Sequence, residues 1–327
     1  MHDKRVIVTG ATGLVGKALC EALNARGYSV VIFSRNSQMA RKKVPGASEY
    51  YDWTPGVSGP WEHALDGAAA VITLHGEPLF NGRLSQARYE RAMQTRIVGV
   101  RELVSAMLKA KTPPKSFLVG SSVGIYGFEG PDDEIVSERT PEGADYHATS
   151  NAVWEHAADR AAWTGIRTVY LRTGIVWGKD GGMAANQFIQ FKRGWGNVIG
   201  EGLNWLPWIH SDDEVGAILY LLENEHLTGA FNLSAPNPVQ YRDYAGILGE
   251  IAGKPVKRKM PEWIVRLSMG RAADMLLRNR KMVPARLIEA GYEFKHPDAG
   301  PALRDLFPAN PAQLASHSPA SCINRIE

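Results

Sequence analysis

The sequence has very few cysteines. Only Cys20 and Cys322 occur among its 327 residues, and neither stands at metal-ligand spacing from another cysteine or a histidine. A scaffold held by disulfides and a zinc ribbon are both excluded, because each needs several cysteines at regular intervals. No metal site is expected. This cysteine usage suits a reducing compartment, so we expect a cytoplasmic protein.

Long hydrophobic runs and a strong excess of charge are also missing. No apolar stretch reaches the roughly 18 residues that span a bilayer, and the first strand-like run begins at Arg5. We therefore expect neither a signal peptide nor a membrane span. The net charge of +3 is small and its basic residues are scattered, which argues against nucleic acid as a partner. A hydrophobic content of 44% with 22% charged residues is ordinary for a soluble enzyme.

A glycine-spaced turn lies near the start of the chain. Residues 6–16 read VIVTGATGLVG, an apolar strand followed by a turn and an amphipathic helix. This context is typical of the dinucleotide-binding turn of a Rossmann domain, where the phosphates lie on the helix N-terminus. Gly10 would make the sharp turn, Gly13 would allow close approach of the pyrophosphate, and Gly16 would let the helix pack on the strand. The expected cofactor contacts here are Gly10, Thr12, Gly13, Leu14, Val15 and Gly16.

The end of the second predicted strand, over residues 29–33, distinguishes NAD from NADP. An acidic residue there would bind the ribose 2′-hydroxyl of NAD, whereas an arginine can pair with the 2′-phosphate of NADP. The sequence has Ser34 and Arg35 at this point and no acidic residue. We therefore expect NADP as the cofactor. The alternative is a solvated arginine that merely follows a strand.

Two more predicted strands end where a cofactor would lie. The third, at about residues 48–51, leads into Asp52, which could accept from the adenine amino group, and Trp53, which could cover the adenine ring. Either residue is equally well explained as part of a loop. The fourth, over residues 69–74, ends in Leu74 and continues through His75. The further cofactor contacts expected here are Leu74, Gly76 and Glu77. His75 is better explained as a structural group.

Three later segments carry a resemblance to a known superfamily. Residues 121–127 read SSVGIYG, residues 171–178 read LRTGIVWG, and residues 208–213 read WIHSDD. The sequence resembles the extended short-chain dehydrogenases/reductases up to about Phe307. It is most similar to an atypical branch, the NAD-dependent epimerase/dehydratase-like "epimerase family" proteins with a C-terminal domain of unknown function. The marks of that branch are GEP at 76–78, WE at 154–155, GG at 181–182, PWIH at 207–210 and the block at 283–294.

The resemblance implies an α/β fold with a Rossmann-type doubly wound parallel sheet and a smaller, mostly helical C-terminal substrate lobe. Residues 1–177 would form the NADP-binding core, with 210–233 returning to it, and residues 178–209 and 234–308 would form the smaller lobe. Residues 309–327 are small and polar, which predicts a disordered tail. Extended reductases often dimerise through two long helices, so a homodimer is one expected assembly.

Several side chains of the predicted lobe and helices have two explanations. Trp205 and Trp208 would stack on a flat ligand or pack in a core, and Ser211 or Asp212 is the expected N-cap of the following helix. Arg96, on a helix predicted over residues 84–111, would face the cofactor or, more simply, the solvent. Basic residues cluster near the C-terminus, where they would bind an anion or form a solvated face. They are Arg278, Arg280, Lys281 and Arg286.

The catalytic pattern departs from that of the superfamily. The resemblance places its serine at Ser122, and it places Ser121 and Arg172 at the cofactor. Counting back from Glu155, the Tyr and Lys of its Tyr-xxx-Lys pair fall on His147 and Asn151. Tyr146, one position earlier, would point roughly 100° away around the helix.

Two functional interpretations follow. In the first, the protein is an NADP-binding oxidoreductase or epimerase-like enzyme that acts on a small hydroxyl- or carbonyl-bearing substrate, with sugar nucleotides included. His147, or else the neighbouring Tyr146, would then move the proton, and Ser122 would orient the reacting oxygen. In the second, the protein binds NADP(H) without turnover and acts as a redox-sensing or regulatory module.

Overall fold

A computed structural model describes residues 4–79, 82–129, 133–278 and 280–308. The tail expected over residues 309–327, and Cys322 with it, lies outside the described residues. Within these ranges no helix is both long and apolar enough to cross a membrane.

Seven parallel strands form the main sheet, in the spatial order Gly229–Leu233, Arg167–Thr173, Ser116–Ser122, Ala70–Thr73, Arg5–Thr9, Ser29–Ser34 and Glu49–Asp52. The central strands are short apolar runs buried on both faces, as a parallel sheet covered by helices requires. The predicted doubly wound α/β fold is confirmed. The strands in chain order are β1 (Arg5–Thr9), β2 (Ser29–Ser34), β3 (Glu49–Asp52), β4 (Ala70–Thr73), β5 (Ser116–Ser122), β6 (Ile135–Val136), β7 (Arg167–Thr173), β8 (Ile175–Trp177), β9 (Val198–Ile199), β10 (Trp205–Leu206), β11 (Trp208–His210), β12 (Gly229–Leu233), β13 (Val239–Gln240), β14 (Lys259–Met260) and β15 (Lys281–Met282).

Helices cover both faces of this sheet. Alternate strand residues enter two separate cores, so that Ile7 packs with α3, α4 and α5 while Val6 and Val8 pack with α1, α2 and α7. The helices are α1 (Leu14–Ala25), α2 (Ser37–Lys43), α3 (Gln86–Lys109), α4 (Tyr146–His156), α5 (Asp159–Trp163), α6 (Gly182–Lys192), α7 (Ser211–Glu223), α8 (Tyr241–Ile251), α9 (Glu262–Met269), α10 (Asp274–Leu277), α11 (Ala285–Glu289) and α12 (Ala299–Leu306). Short 3-10 helices span Pro60–Leu65, Val123–Tyr126 and Arg271–Ala273.

A third core joins the segments expected to form the smaller lobe. The rings of Trp177 and Trp208 stack at 4.3 Å between centroids, and both side chains are fully buried among residues of α6, α8, α9 and α12. Trp208 is therefore a core residue and not a stacking surface for a ligand. Residues 283–294 do not join this core, because Leu287 packs under the main sheet instead. This differs from the predicted partition, which put all of 234–308 in the smaller lobe.

The α7 cap and the basic cluster also differ from expectation. His210 is the N-cap of α7, and its Nδ1 accepts from the Asp212 N–H at 3.1 Å, so neither Ser211 nor Asp212 caps the helix. In the basic cluster, Arg286 donates to the carbonyl oxygens of Ala230 and Thr228. The other three contact Asp274, Glu134 and the ring of Trp205. These cations hold parts of the fold together.

Candidate functional site

The glycine-spaced turn has the geometry that a dinucleotide needs. Gly10 has φ +71°, and a Cβ there would lie 2.4 Å from the Leu74 carbonyl oxygen. A Cβ on Gly16 would lie 2.3 Å from the Gly10 carbonyl oxygen, so only glycine allows α1 to approach the turn this closely. No side chain caps α1 at Gly13, which leaves its first N–H groups available to an anion. The fit to a pyrophosphate is good.

The residues expected at the adenosine end sit at the C-terminal edge of β2 and β3. Arg35 is exposed directly after β2, beside half-buried Ser34. One carboxylate oxygen of Asp52 accepts from the Ser37 N–H at 2.7 Å and so fixes the start of α2. Trp53 is only 3% exposed and packs edge-on against Trp61, so it is part of the core and does not cover an adenine ring.

The segment after β4 is held by contacts within the protein. His75 Nδ1 lies 3.0 Å from Thr9 Oγ1, and burial lowers the pKa of His75 to about 4, which makes it a neutral structural group. Glu77 is exposed and pairs with Arg88 at 2.6 Å. A Cβ on Gly76 would lie 2.5 Å from the Cζ of Arg96, so this glycine makes room for a side chain of α3.

A cavity of about 220 Å³ opens at the C-terminal ends of β5 and β7. Such an edge is where ligands bind in open α/β sheets. Its wall is largely apolar, with a few polar groups directed inward, as in most small-molecule sites. The lining residues are Leu79, Met93, Arg96, Ser121, Ser122, Val123, Gly124, Phe128, His147, Asn151, Trp154, Thr173, Gly174, Ile175 and Met275.

His147 is the acid/base candidate in this cavity. It is 5% exposed, and its ring packs edge-on against Tyr89 at 5.0 Å and Phe128 at 5.1 Å. Neither ring nitrogen has a hydrogen-bond partner within the described ranges of the chain. Burial lowers the pKa of His147 below its usual 6.5, so the imidazole is neutral at pH 7. A neutral imidazole can accept a proton from a hydroxyl group.

Ser122 and Asn151 share the cavity with His147. Ser122 Oγ accepts from the Gly124 N–H at 3.1 Å, which leaves its own proton to donate to a ligand oxygen. The Asn151 amide donates to the His147 carbonyl oxygen at 2.7 Å, within α4. The Asn151 amide is therefore bound within its own helix, and being neutral it does not substitute for the charge of the lysine.

Tyr146 lies outside the cavity. It is 42% exposed, and its hydroxyl accepts from the side-chain amide of Gln86 at 2.7 Å. The Arg271 guanidinium lies 4.9 Å from the centre of its ring. The expectation that Tyr146 is catalytic is not supported, because helix periodicity turns it away while His147 faces inward.

Arg172 belongs to a buried network and not to the cofactor site where it was expected. Its Nη2 and Nε donate to the two carboxylate oxygens of Glu155 at 2.7 and 3.1 Å, and Nη1 donates to Tyr126 Oη at 2.9 Å. Ser121 donates to the same carboxylate at 2.6 Å, and Tyr126 donates to Asn232. Every nitrogen of the guanidinium thus has a protein acceptor. The network ties α4 to β5, β7 and β12, and one of its members, Ser121, also lines the cavity.

Most of the chain matches the sequence pattern of one known protein family. The NAD dependent epimerase/dehydratase family matches residues 6–234, and a domain of unknown function (DUF1731) matches residues 260–306. The chain belongs to the NAD dependent epimerase/dehydratase family. The resemblance drawn from the sequence is confirmed.

Members of this family from distant organisms match over their whole length. Human epimerase family protein SDR39U1 is 32% identical over 310 residues, 92% of this chain and 99% of the relative. Bacillus subtilis epimerase family protein YfhF is 29% identical over 301 residues, 92% and 97% of the two chains. A crystal structure of human SDR39U1 isoform 2 with NADPH has a TM-score of 0.80 at 30% identity, covering 92% of this chain and 98% of that one. MoeE5 with UDP-glucose and NAD, at 19% identity and a TM-score of 0.73, shares the fold alone.

For this epimerase-family chain, sequence reasoning missed part of the cavity wall. Phe128 and Met275 were not singled out, since their side chains meet the site only through tertiary packing. Arg96 was expected to face the cofactor or, more simply, the solvent, and it lines the cavity. One signal pointed to this: Arg96 lies three residues after Met93 and shares its face of α3, and Met93 is buried.

Proposed function

We propose that this protein is an NADP(H)-dependent oxidoreductase that interconverts a small hydroxyl compound and the corresponding carbonyl compound. The observation that carries the proposal is the meeting of Ser122 and His147 in one cavity. A hydroxyl with a free proton and a neutral imidazole without a partner are the two groups that such a reaction requires of the protein.

The cofactor assignment rests on four agreeing features. The turn at Gly10 and Gly16 fits a pyrophosphate, and the N-terminus of α1 lacks a side-chain cap. Arg35 follows β2 where an acidic residue would select NAD. The related human SDR39U1 crystallised with NADPH, which agrees with the cofactor expected from the sequence. Bound NADP(H) would supply or accept the hydride.

The protein's own groups would handle the proton. Ser122 donates a hydrogen bond to the reacting oxygen, and neutral His147 takes the hydroxyl proton in the oxidation direction. In the reverse direction His147 must first be protonated. Because burial lowers the pKa of His147, its imidazole is neutral above pH 6.5 and the rate of oxidation should not change with pH there, whereas the rate of reduction should rise steadily as the pH falls.

The cavity favours a small substrate. Its volume of about 220 Å³ lies below the roughly 300–1,000 Å³ usual for drug-sized ligands. The wall is mostly apolar, with Phe128 and Trp154 among its members. An aldehyde, a ketone or a simple alcohol suits this space better than a sugar nucleotide.

A screen of NADPH oxidation and NADP+ reduction with panels of carbonyl compounds, alcohols and sugar nucleotides tests the proposal. At least one small compound should turn over, and Ser122→Ala and His147→Ala should each reduce kcat/KM by about 100-fold. Tyr146→Phe is the matched control and should retain activity, since Tyr146 lies outside the cavity. No turnover of any compound, or equal rates in all variants, would refute it.

The alternative is a redox-sensing module without turnover. The absence of the Tyr-xxx-Lys pair favours it, as does the amide of Asn151, which is bound within its own helix. A sensor must bind NADPH and NADP+ with different affinities or change a partner's affinity between the two. Equal affinities, measured by calorimetry, with no change in partner binding would remove this alternative.

A further inference from the structure

Arg96 is a cation in the wall of a largely apolar cavity. Its Nη1 donates to the Ala92 carbonyl oxygen at 2.9 Å and its Nη2 to the Glu77 carbonyl oxygen at 2.8 Å. Both acceptors are neutral. No carboxylate of the described residues forms an ion pair with Arg96, because Glu77 directs its own carboxylate to Arg88.

The guanidinium is held in place by neutral groups. Its Cζ lies 5.3 Å from the centre of the Trp154 ring, and a Cβ on Gly76 would approach that atom to 2.5 Å. Burial lowers the pKa of Arg96 to about 10, which leaves it charged at neutral pH. Arg96 is half-buried, and even partial burial of a cation without a counter-ion is costly, so an anionic ligand would offset that cost.

We infer that Arg96 forms an anion subsite, and that the substrate is a small hydroxyl or carbonyl compound that also carries a carboxylate. The inference rests on the proposed function and names the substrate class of the same cavity. A planar guanidinium offers paired N–H donors that match the two oxygens of a carboxylate. Ser122 and His147, on the same cavity, would receive the reacting oxygen.

The first test compares matched probes on the NADPH-loaded protein. Benzoate and benzamide have the same shape and differ in charge, and calorimetry gives the affinity of each. Benzoate should bind at least tenfold more tightly than benzamide. Arg96→Gln should abolish this preference, and Arg96→Lys should retain part of it. Arg101→Gln, an exposed arginine on the same helix, is the control and should keep it.

A second variant, Gly76→Ala, tests the anion subsite independently in case Arg96→Gln does not fold. Gly76→Ala leaves the charge but would displace the guanidinium, so it should also lower the preference for benzoate. NADPH affinity should change less than twofold in Arg96→Gln. Equal binding of benzoate and benzamide to the wild-type protein would overturn the inference, as would an undiminished preference in Arg96→Gln or a tenfold loss of NADPH affinity in that variant.

Turnover separates this inference from the proposed function. If NADPH is oxidised by 4-formylbenzamide as fast as by 4-carboxybenzaldehyde, the oxidoreductase proposal stands and the anion subsite fails. If the protein does not bind NADPH, the proposed oxidoreductase function is refuted, and so is the inferred carboxylate-bearing substrate, which rests on that function.

Discussion

Glu155 and Arg172 form a bidentate ion pair in which both side chains are less than a tenth exposed. Their nearest atoms are 2.7 Å apart, and the pair joins α4 to β7. Because both side chains are buried, removing either partner would leave the charge of the other without a counter-ion. His147 lies on the same helix as Glu155.

Removing the carboxylate should therefore destabilise the fold strongly. Glu155→Gln keeps the volume and leaves Arg172 buried without a counter-ion, which we expect to cost about 3–5 kcal/mol of the free energy of unfolding in urea. Glu289→Gln is the control, since Glu289 pairs with Arg139 at the surface. It should cost less than about 1 kcal/mol. Similar losses in the two variants would contradict the account.

Alanine substitutions at two glycines distinguish the cost of a steric clash from the cost of backbone strain. Gly10 and Gly27 both have positive φ, but a Cβ on Gly10 would collide with Leu74 while a Cβ on Gly27 would meet nothing within 4 Å. Gly27→Ala should cost about 1 kcal/mol. Gly10→Ala should cost a further 1–3 kcal/mol or so and abolish NADPH binding. Thermal unfolding and an NADPH titration check both, and equal effects would argue against a close-packed turn.

Arg35 should determine the preference for NADPH over NADH. Losing a charge-assisted contact to the 2′-phosphate should weaken NADPH binding about 10- to 100-fold in Arg35→Ala, with little change for NADH. Lys42→Ala removes a nearby exposed charge from α2 and serves as the control. Fluorescence titrations give both affinities. A parallel loss for NADPH and NADH would show that Arg35 does not contact the phosphate.

Acid should destabilise the protein through His75. Its pKa is about 4 in the folded state against 6.5 for an ordinary histidine, so the unfolded chain takes up the proton first. The stabilisation is complete above pH 6.5 and is lost as the pH falls to about 4, by roughly 3 kcal/mol. His75→Gln should flatten this pH dependence of unfolding, whereas His156→Gln, at an exposed ion pair, should not. An unchanged slope in His75→Gln would rule out this linkage.

Local rules were enough to predict the dinucleotide turn. The positive φ of Gly10 and the close approach at Gly16 follow from one strand, one turn and one helix, so a short segment contains the whole signal. Helix periodicity likewise separated Tyr146 from His147. These features depend on residues that are neighbours in the chain.

Features that join distant segments could not be predicted in the same way. Arg172 pairs with a carboxylate on α4, and the ring of Trp53 packs edge-on against the rings of Trp61 and His75. Whether such a side chain faces a ligand or the core depends on how helices pack on the sheet, which one segment does not encode. Arg96 shows the same limit, since the space for its guanidinium depends on the missing side chain of Gly76, which lies in another segment.

The single-turnover rate of NADPH oxidation tests the central claim, that His147 moves the substrate proton in the cavity. NADPH-loaded protein would be mixed rapidly with the most active carbonyl compound from the screen. His147→Gln should slow this step by at least about 100-fold while NADPH affinity stays the same. A rate in His147→Gln equal to that of the wild-type protein would contradict the account.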